Sequence, residues 1–457
     1  MKKSIITLLL FTLGIFSHYT LHAQQQINLQ KAIDLALSNN PGITAAANKV
    51  KIADAKNMQA KSSFYPKANI LSKYLYTNNM PGMYPLLGVS VPVMNSGAPT
   101  GDNITMHPMA PYMNLDRDLL TFDLNVVYPI YVGNKRKNAV ESTEILHQVY
   151  EINKAETSAQ LVEKVKTAFY NYLTINDVIN VYEKALTQLN NHLALAKKAY
   201  EVGLRSEYDV LNFQSKIAGF ESKIVEFKGK RTVVATALKS LLDIPEDSKV
   251  TFVGTIDRFY SNIYLKKQLA LSTIQSNNLK IQTLDGMKKL LNRKEKMEGA
   301  AQLPIAFAFG NYHIYHGKDF PPFDKTWRNG YAVGFGVKIN LFDGNMTKGK
   351  VEEIKAQSAI INNYKEGMKL KLRFEYQKCL ENISYLEAKM ESENKNMALG
   401  QKAYSIAQVG YKNGVITNIE LNDAQLNITK IETSIINIKK GLLIQHAILE
   451  YLNGQQQ

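Results

Sequence analysis

The absence of proline from two long stretches is the feature that most constrains this sequence. The chain has 457 residues and 13 prolines, and no proline lies within 135–243 or within 346–457. Proline breaks the interior of a helix, and both stretches are rich in Lys, Glu, Leu, Ala and Gln, so both predict long helices. At 1.5 Å per residue, the arm at about 135–202 would extend roughly 100 Å. No compact domain holds such a rod.

A single interruption divides each proline-free stretch into two arms. The first is Val202-Gly203-Leu204-Arg205-Ser206 and the second is Asn413-Gly414-Val415-Ile416-Thr417. In both, glycine suits the end of one helix, and the Ser or Thr that follows can cap the next helix. The sequence therefore predicts two helical hairpins, whose turns, at 203–206 and 414–417, we call the first tip and the second tip.

The two hairpins belong to an internal repeat. A shift of 211 residues places the segment YVGN at 131–134 on FDGN at 342–345, and it superposes the apolar positions of the two returning arms. Nearer the start of each half the shift becomes 238, and the difference of 27 residues indicates extra sequence in the first half, within a proline-rich loop at 76–115. We therefore divide the chain into a first repeat, 24–250, and a second repeat, 251–457.

Strand-like alternation precedes each hairpin. Bulky apolar residues occupy every second position of 119–132 and 331–342, and weaker patterns at about 65–77 and 303–315 supply two further strands. Alternation over such long runs is typical of strands that cross a membrane with bulky side chains toward lipid. The alternative is the edge of a soluble sandwich, whose strands usually have about 5–6 residues. Four strands cannot close a barrel, because about eight are needed, so the chain must pool strands with copies of itself.

The first 23 residues predict export from the cytoplasm. Lys2 and Lys3 precede an apolar run at 5–16, and a plausible cleavage point follows Ala23, which is the pattern of a secretory signal peptide. The alternative, a transmembrane anchor, needs a longer apolar run of about 18 residues.

Composition argues against several classes of function. The single cysteine, Cys379, excludes an internal disulfide and a cysteine-based zinc site. No phosphate loop, nucleophile elbow or metalloprotease motif occurs, so we expect no enzymatic activity, no cofactor and no bound metal. The net charge of +15, from 55 Lys and Arg against 40 Asp and Glu, is scattered along the predicted helices, which disfavours nucleic acid as a partner.

In its order of elements the chain resembles the TolC outer-membrane factor family. The resemblance rests on a short helix, a strand, a loop, a strand that ends in Tyr131-Val132-Gly133-Asn134-Lys135-Arg136, a long helix, the first tip and a returning helix, followed by the same layout again. It covers 27–454. It implies a mixed α/β protein of the outer membrane, a homotrimer whose twelve pooled strands form one β-barrel that a long periplasmic α-helical barrel continues.

The resemblance also implies a function and roles for residues at the tips. The chain would be the exit duct of a tripartite efflux pump or of a type I secretion system, with a periplasmic adaptor and an inner-membrane transporter as partners. Both tips would dock the adaptor, and we expect Leu204, Val415 and Ile416 to be exposed there, although a plain hairpin turn is the alternative. The tip residues are Gly203, Leu204, Arg205, Ser206, Gly414, Val415, Ile416 and Thr417.

Four further residues match positions of the family that control the pore. Glu420 and Asp423 match paired acidic residues that ring the pore, and the alternative places them on a solvated outer face. Tyr411 and Asp209 match residues that link the two hairpins and hold the tip shut. The family's arginine partner falls at Ile416, so that ion pair is absent as such, and Arg205 is the candidate to replace it.

These observations predict a passive transport duct, with efflux of small molecules favoured over secretion of proteins. The competing interpretation is a non-conducting, exported coiled-coil scaffold, which would not need lipid-facing strands in both halves. The sequence leaves open the cargo, the adaptor, the transporter and whether the loop at 76–115 occludes the outer mouth.

Overall fold

The computed structural model describes residues 25–77, 89–95, 98–106, 117–262, 270–317 and 327–455. The predicted signal peptide and part of the predicted loop at 76–115 lie outside these ranges. The elements of the first half are β1 (Gln25–Ile27), α1 (Leu29–Asn39), α2 (Pro41–Ser62), β2 (Lys67–Thr77), β3 (Val89–Asn95), β4 (Ala98–Met106), β5 (Arg117–Tyr131), α3 (Lys135–Glu201) and α4 (Glu207–Leu241). Those of the second half are β6 (Val250–Phe252), α5 (Ile256–Ser261), α6 (Leu271–Asn277), α7 (Leu279–Gly299), β7 (Ile305–Gly317), β8 (Arg328–Lys338), α8 (Met346–Lys412) and α9 (Asn418–Leu452).

The long helices of the two halves correspond residue for residue. Helices α3 and α8 each have 67 residues, and α4 and α9 each have 35. Both pairs are related by the shift of 211 found in the sequence, and α2 and α7 begin 238 residues apart. The helices run unbroken, as the absence of proline requires. The assignment of the two halves as separate domains stays a prediction.

The same backbone turn leads from strand to helix in each half. Gly133 and Asn134 have φ angles of 63° and 62°, and Gly344 and Asn345 have 65° and 68°. Glycine adopts this left-handed conformation without strain, and asparagine tolerates it better than most residues do. The Gly-Asn pair that recurs in the sequence is therefore the signal that starts each long helix.

The described residues form two compact units, and each unit combines segments of both repeats. The first unit contains the described residues of Met1–Thr44, Ala155–Asn278 and Lys371–Gln457, and the second contains those of Ala45–Lys154 and Leu279–Leu370. Among the described residues, no helix is long and apolar enough to cross a membrane.

An apolar core holds the first unit together. Phe169 of α3, Leu238 of α4 and Ile256 of α5 are fully buried in it. The strands β1 and β6 pair in parallel beside this core, with Ile27 opposite Phe252, and the ring of Phe252 meets the ring of Phe169 edge-on at 6.0 Å. The two halves of the chain thus share one core.

A four-stranded antiparallel sheet dominates the second unit. Its strand order is β2-β5-β7-β8, so β2 and β8 are the edge strands. The four strands that the sequence predicts are those of this sheet. Within the described residues, neither β2 nor β8 has a strand on its outer edge.

The two faces of this sheet differ sharply in chemistry. One face, which we call the apolar face, carries large exposed side chains and no charge among the strand residues whose side chains are described: Ile70, Tyr74, Phe122, Leu124, Tyr312, Tyr331, Val333, Phe335 and Val337. Phe335 is 86% exposed. The other face, which we call the polar face, carries glycine, amide and charged residues together with the rings of Phe307 and Phe309. The predicted alternation, with its bulky row on the apolar face, is present in β2, β5 and β8. In β7 the prediction is wrong about the face, because the register pairs Phe307 and Phe309 with glycines of β8 on the polar face.

Two details differ from the sequence prediction. Strand β8 ends at Lys338, so the apolar alternation that continues through Ile339 and Leu341 lies beyond the strand. The predicted loop at 76–115 contains a hairpin of β3 and β4, in which Pro92 and Pro99 take part. Each strand of a two-stranded ribbon has a free edge, where a residue without an N–H is tolerated. These strands were not predicted, because their prolines indicated a loop.

A charge on the apolar face should prevent membrane assembly. We expect Phe335→Arg to lower the amount of oligomer in outer-membrane fractions, because arginine on a lipid-facing strand costs about 2–4 kcal/mol at the bilayer midplane in every copy. The matched control is Ala332→Arg, which places the same side chain on the polar face of the same strand. Equal amounts of oligomer for the two variants, compared by gel migration with and without heating, would contradict a lipid-facing apolar face.

Candidate functional site

The first tip is a helix end closed by its own backbone. Gly203 has a φ of 76°, and the N–H of Leu204 donates to the carbonyl of Ala199 at 2.8 Å. Ser206 then caps α4, because its hydroxyl accepts from the N–H of Asp209 at 3.3 Å. Glycine at the left-handed position followed by a capping serine is the pattern that the sequence predicted.

The second tip repeats this geometry with different side chains. Gly414 has a φ of 77°, and the N–H of Val415 donates to the carbonyl of Gly410 at 2.9 Å. Thr417 and Glu420 form a capping box at the start of α9, in which each side chain accepts from the other residue's N–H. The two tips are therefore equivalent in backbone, and only their side chains distinguish them.

Both tips present one large apolar side chain to solvent. Leu204 is 77% exposed and Val415 is 81% exposed, and the two occupy equivalent positions of the repeat. The expectation that Ile416 is exposed as well is wrong. Ile416 lies over Gly410, where an added Cβ would meet its Cδ1 at 2.7 Å, and it packs against a buried cluster of the first unit. The side chain turns inward because glycine at 410 leaves room for it.

Arg205 ties the first tip to the second hairpin. Its Nη2 donates to the backbone carbonyl of Tyr411 at 2.8 Å, and its Cζ lies 4.5 Å from the centre of the Tyr411 ring. Within the described residues, no ion pair joins Arg205 to Asp209. The structure therefore links Arg205 to Tyr411 by a hydrogen bond and a cation–π contact, and the role of Arg205, Asp209 and Tyr411 in a gate stays a prediction.

Tyr411 is the buried centre of this cluster. Its side chain is 5% exposed, and its ring meets Phe213 edge-on at 5.7 Å. Burial raises the pKa of its hydroxyl; Arg205 opposes that rise and Asp209 adds to it. The hydroxyl oxygen is buried without a hydrogen-bond partner. A buried hydroxyl in that state costs free energy, so this cluster is not optimised for stability.

A ladder of buried polar residues extends from the second tip along α9. Asn418, Asn422, Gln425 and Thr429 are all buried, at a spacing of three or four residues. The amide of Asn422 donates to the side-chain oxygen of Asn212 on α4 at 3.3 Å. This ladder was not predicted, although its helical spacing is visible in the sequence. Polar contacts of this kind fix the register of two helices at a cost in stability.

A buried histidine links the two outgoing helices in the first unit. His192 of α3 and the hydroxyl of Tyr404 of α8 lie 3.0 Å apart, and the histidine ring also lies beside Phe213. Burial, and then the charge of Lys412, lower the pKa of His192. The pair was not predicted, because no sequence pattern joins residues that lie 212 positions apart.

Glu420 and Asp423 are both exposed in the single chain. The Oε2 of Glu420 accepts from the N–H and from the hydroxyl of Thr417, both at 2.8 Å, and these bonds, led by that of the backbone N–H, lower the pKa of the carboxyl. Glu420 therefore has a structural role in the capping box that does not depend on a pore. Its place in an acidic ring with Asp423 stays a prediction.

The remaining reactive group is engaged in packing. Cys379 of α8 is buried, its thiol donates to the carbonyl of Gln445 on α9 at 3.3 Å, and burial raises its pKa to about 11. A thiol with such a pKa is inert at neutral pH. Within the described residues, no group of three or more His, Cys, Asp or Glu side chains is placed to hold a metal ion.

Residues 32–243 match the family described as outer membrane efflux protein. Among solved structures, the outer membrane protein VceC from Vibrio cholerae is 15% identical over 93% of this chain and 96% of its own, with a TM-score of 0.72. CusC is 15% identical over 93% and 92%, with a TM-score of 0.75. The MtrE channel of Neisseria gonorrhoeae, in its open state, is 15% identical over 94% and 89%, with a TM-score of 0.73. No protein of curated function matches the sequence.

The family match and the fold support each other. The match covers most of the first repeat, and the shared fold extends over nearly the whole chain. The predicted resemblance and the predicted fold of the single chain are confirmed. The predicted place in the outer membrane agrees with the family that 32–243 matches, and assembly as a homotrimer stays a prediction. The roles of individual tip residues are not tested by these similarities, because identities of 15% show the fold alone.

Removal of the capping threonine should loosen the start of α9 at the second tip. Thr417→Ala should raise amide hydrogen exchange at 418–421 by roughly fivefold, since the loss of an N-cap costs about 1 kcal/mol. Thr433→Ala is the control, because that hydroxyl donates to the carbonyl of Thr429 within α9.

The carboxylate of Glu420 should make the stability of this helix start depend on pH. Because the pKa of Glu420 is lowered in the folded protein, the stabilisation that its carboxylate contributes is complete above the ordinary pKa of 4.5 and is lost as the pH falls through the folded pKa. Glu420→Gln should remove this pH dependence; equal pH profiles for the two proteins would contradict the capping role.

Proposed function

We propose that this chain, which matches the outer membrane efflux protein family over 32–243, is a subunit of an outer-membrane efflux channel. The channel is the passive exit duct of a tripartite assembly in which an inner-membrane transporter supplies the driving force. The observation that carries the proposal is the one-sided sheet: among the strand residues whose side chains are described, the exposed apolar row suits lipid and every charge lies on the polar face. A non-conducting scaffold would need no such sheet, and the family favours efflux over protein secretion as the duct's work.

The open edges of the sheet support assembly as a homotrimer. Within the described residues, β2 and β8 each leave a row of backbone N–H and C=O groups without a strand partner. A membrane offers no water to satisfy such groups, so the edges require strands from other copies. Four strands are too few for a barrel, and three copies supply twelve. Three chains joined edge to edge, β8 of one to β2 of the next, satisfy every edge.

The exposed apolar residues at the tips support docking of a periplasmic adaptor. Leu204 and Val415 occupy equivalent positions on two backbone turns of the same geometry, and both are more than three-quarters exposed. A turn that only reverses the chain gains nothing from a bulky apolar side chain at its apex. Two such side chains per subunit would give a trimer six matching contacts around its ring of tips.

The link between Arg205 and Tyr411 supports a role in holding the tips closed. Opening would pull the first tip from the second hairpin, and it would break the hydrogen bond to the Tyr411 carbonyl and the contact with its ring. The polar ladder on α9 also favours separation, because an interface of amides gains less from burial than an apolar one. Glu420 and Asp423, one turn beyond, would bring six carboxylates of a trimer to the pore and favour cations there.

Adaptor docking can be tested by crosslinking in cells. A photo-crosslinking residue in place of Leu204 or Val415 should capture a periplasmic adaptor, identified by mass spectrometry, and the class of that adaptor would separate efflux from type I secretion. Val233 is the control position, because it is comparably exposed but lies inside α4, away from the tips. Docking at the tips would be refuted if Val233 captured the same adaptor as efficiently.

Arg205→Ala should loosen the closed tip. A cation–π contact and a hydrogen bond to a charged group are each worth about 1 kcal/mol or more, so the open fraction should rise by roughly fivefold or more in planar bilayers. Arg231→Ala is the matched control, because Arg231 donates to Asn176 at 3.0 Å inside the first hairpin and does not touch the second. If the open fraction of Arg205→Ala equals that of the control and of the unmodified protein, Arg205 does not hold the tip closed.

A further inference from the structure

The charged residues on the polar face of the sheet are mostly cationic. Lys67 and Lys73 lie on β2, Arg328 and Lys338 lie on β8, and Asp123 on β5 is the one carboxylate among the strand residues whose side chains are described. Each β-strand turns alternate residues to one face, so the register of the four strands decides which charges share a face.

The register places all five charges on the same face. Lys73 pairs with Thr121, which lies two positions from Asp123, so these three share a face. Asp123 pairs with His313, and His313 pairs with Gly330 on β8, two positions from Arg328. Lys67 lies six positions from Lys73, and Lys338 lies ten positions from Arg328, both even separations.

Contacts between β7 and β8 show on which side of the sheet this face lies. A Cβ added at Gly330 would meet the Nε2 of His313 at 2.7 Å, and one added at Gly334 would meet the ring of Phe309 at 2.9 Å. The side chains of β7 therefore lie over the glycines of β8 on the polar face.

The opposite face fixes which side meets the pore. The apolar face is uncharged among the strand residues whose side chains are described, and Tyr331, Val333 and Phe335 stand exposed on it. A charge on a lipid-facing strand costs several kcal/mol, whereas an aqueous lumen solvates it. The polar face is consequently the inner wall of the barrel that the proposed trimer forms.

The balance of charge on this wall is strongly positive. Among the strand residues whose side chains are described, four cations and one carboxylate lie on this face of each chain, and Asp123 accepts a hydrogen bond from the Thr121 hydroxyl at 3.4 Å. Twelve strands about 4.8 Å apart and tilted by about 40° enclose a radius of roughly 12 Å at the backbone. Lysine side chains that extend inward from the backbone span much of the distance to the axis of the barrel. Their ammonium groups therefore lie within about one Debye length, ~8 Å, of that axis. The field of the wall thus reaches the whole lumen.

We propose that this cationic wall, built from Lys67, Lys73, Arg328 and Lys338, makes the barrel selective for anions, so that the duct favours negatively charged cargo. The inference rests on the proposed function and deepens it by naming the class of cargo. It is independent of Glu420 and Asp423, which lie in the other compact unit and would act on the opposite sign of charge.

The test is the ratio of chloride to potassium permeability in planar bilayers, obtained from the reversal potential of the full-length channel in a KCl gradient. The variant Lys67→Gln, Lys73→Gln, Arg328→Gln, Lys338→Gln should lower this ratio on the order of twofold or more, because the wall loses its cations. Asp123→Asn should raise it. The matched control Lys67→Arg, Lys73→Arg, Arg328→Lys, Lys338→Arg keeps every charge and should leave the ratio unchanged.

Each outcome decides a different claim. A conducting neutral variant with the ratio of the unmodified channel would overturn the cationic wall and leave the proposed function standing. If the fourfold variant does not assemble, Lys67→Gln, Lys73→Gln is measured in its place, since both side chains are exposed, and the same two outcomes apply. An unmodified protein that never conducts would overturn the proposed function and this inference together.

Discussion

The unpaired edges of the four-stranded sheet are the constraint on which the rest of this molecule depends. Backbone groups left without partners in lipid cost several kcal/mol each, and within the described residues neither β2 nor β8 has a strand beyond it. The sheet of a single chain therefore lacks partners for both of its edges in a membrane. In the assembly that we propose, the partner strands, a lumen lined by the polar face and a set of tips that act together all follow from that requirement.

The two helical hairpins repeat each other in backbone geometry, from the turn that starts each outgoing helix to the tip. Each begins at a Gly-Asn turn and ends at a glycine in a left-handed conformation, and the two tips share one backbone geometry. Their side chains then divide the work. Leu204 and Val415 point to solvent, whereas Arg205 and Ile416, which are equivalent in the repeat, both turn inward. The same position thus supplies a cation that contacts Tyr411 in one half and an apolar side chain that packs in a core cluster in the other.

Much of this fold is readable from the sequence, and the exceptions have physical causes. The long helices follow from missing prolines, and the strands follow from strict alternation. The hairpin of β3 and β4 was hidden by prolines that only a free strand edge tolerates. The exposure of Ile416 was predicted wrongly, because the space above Gly410 depends on how α8 and the second tip fold back on each other. The pairs His192 with Tyr404 and Asn212 with Asn422 join residues more than 200 positions apart.

The sequence by itself determined the elements of this protein: periodicity, proline and glycine act locally, so two copies of one strand–helix unit are visible without coordinates. Only the tertiary structure decided which residues meet. It placed Arg205 on Tyr411, buried a ladder of amides along α9, and set the register that gathers Lys67, Lys73, Arg328 and Lys338 on one face. Register is set by pairing between distant strands, and a slip of one residue in β2 or in β8 would turn the charges of that strand to the apolar face.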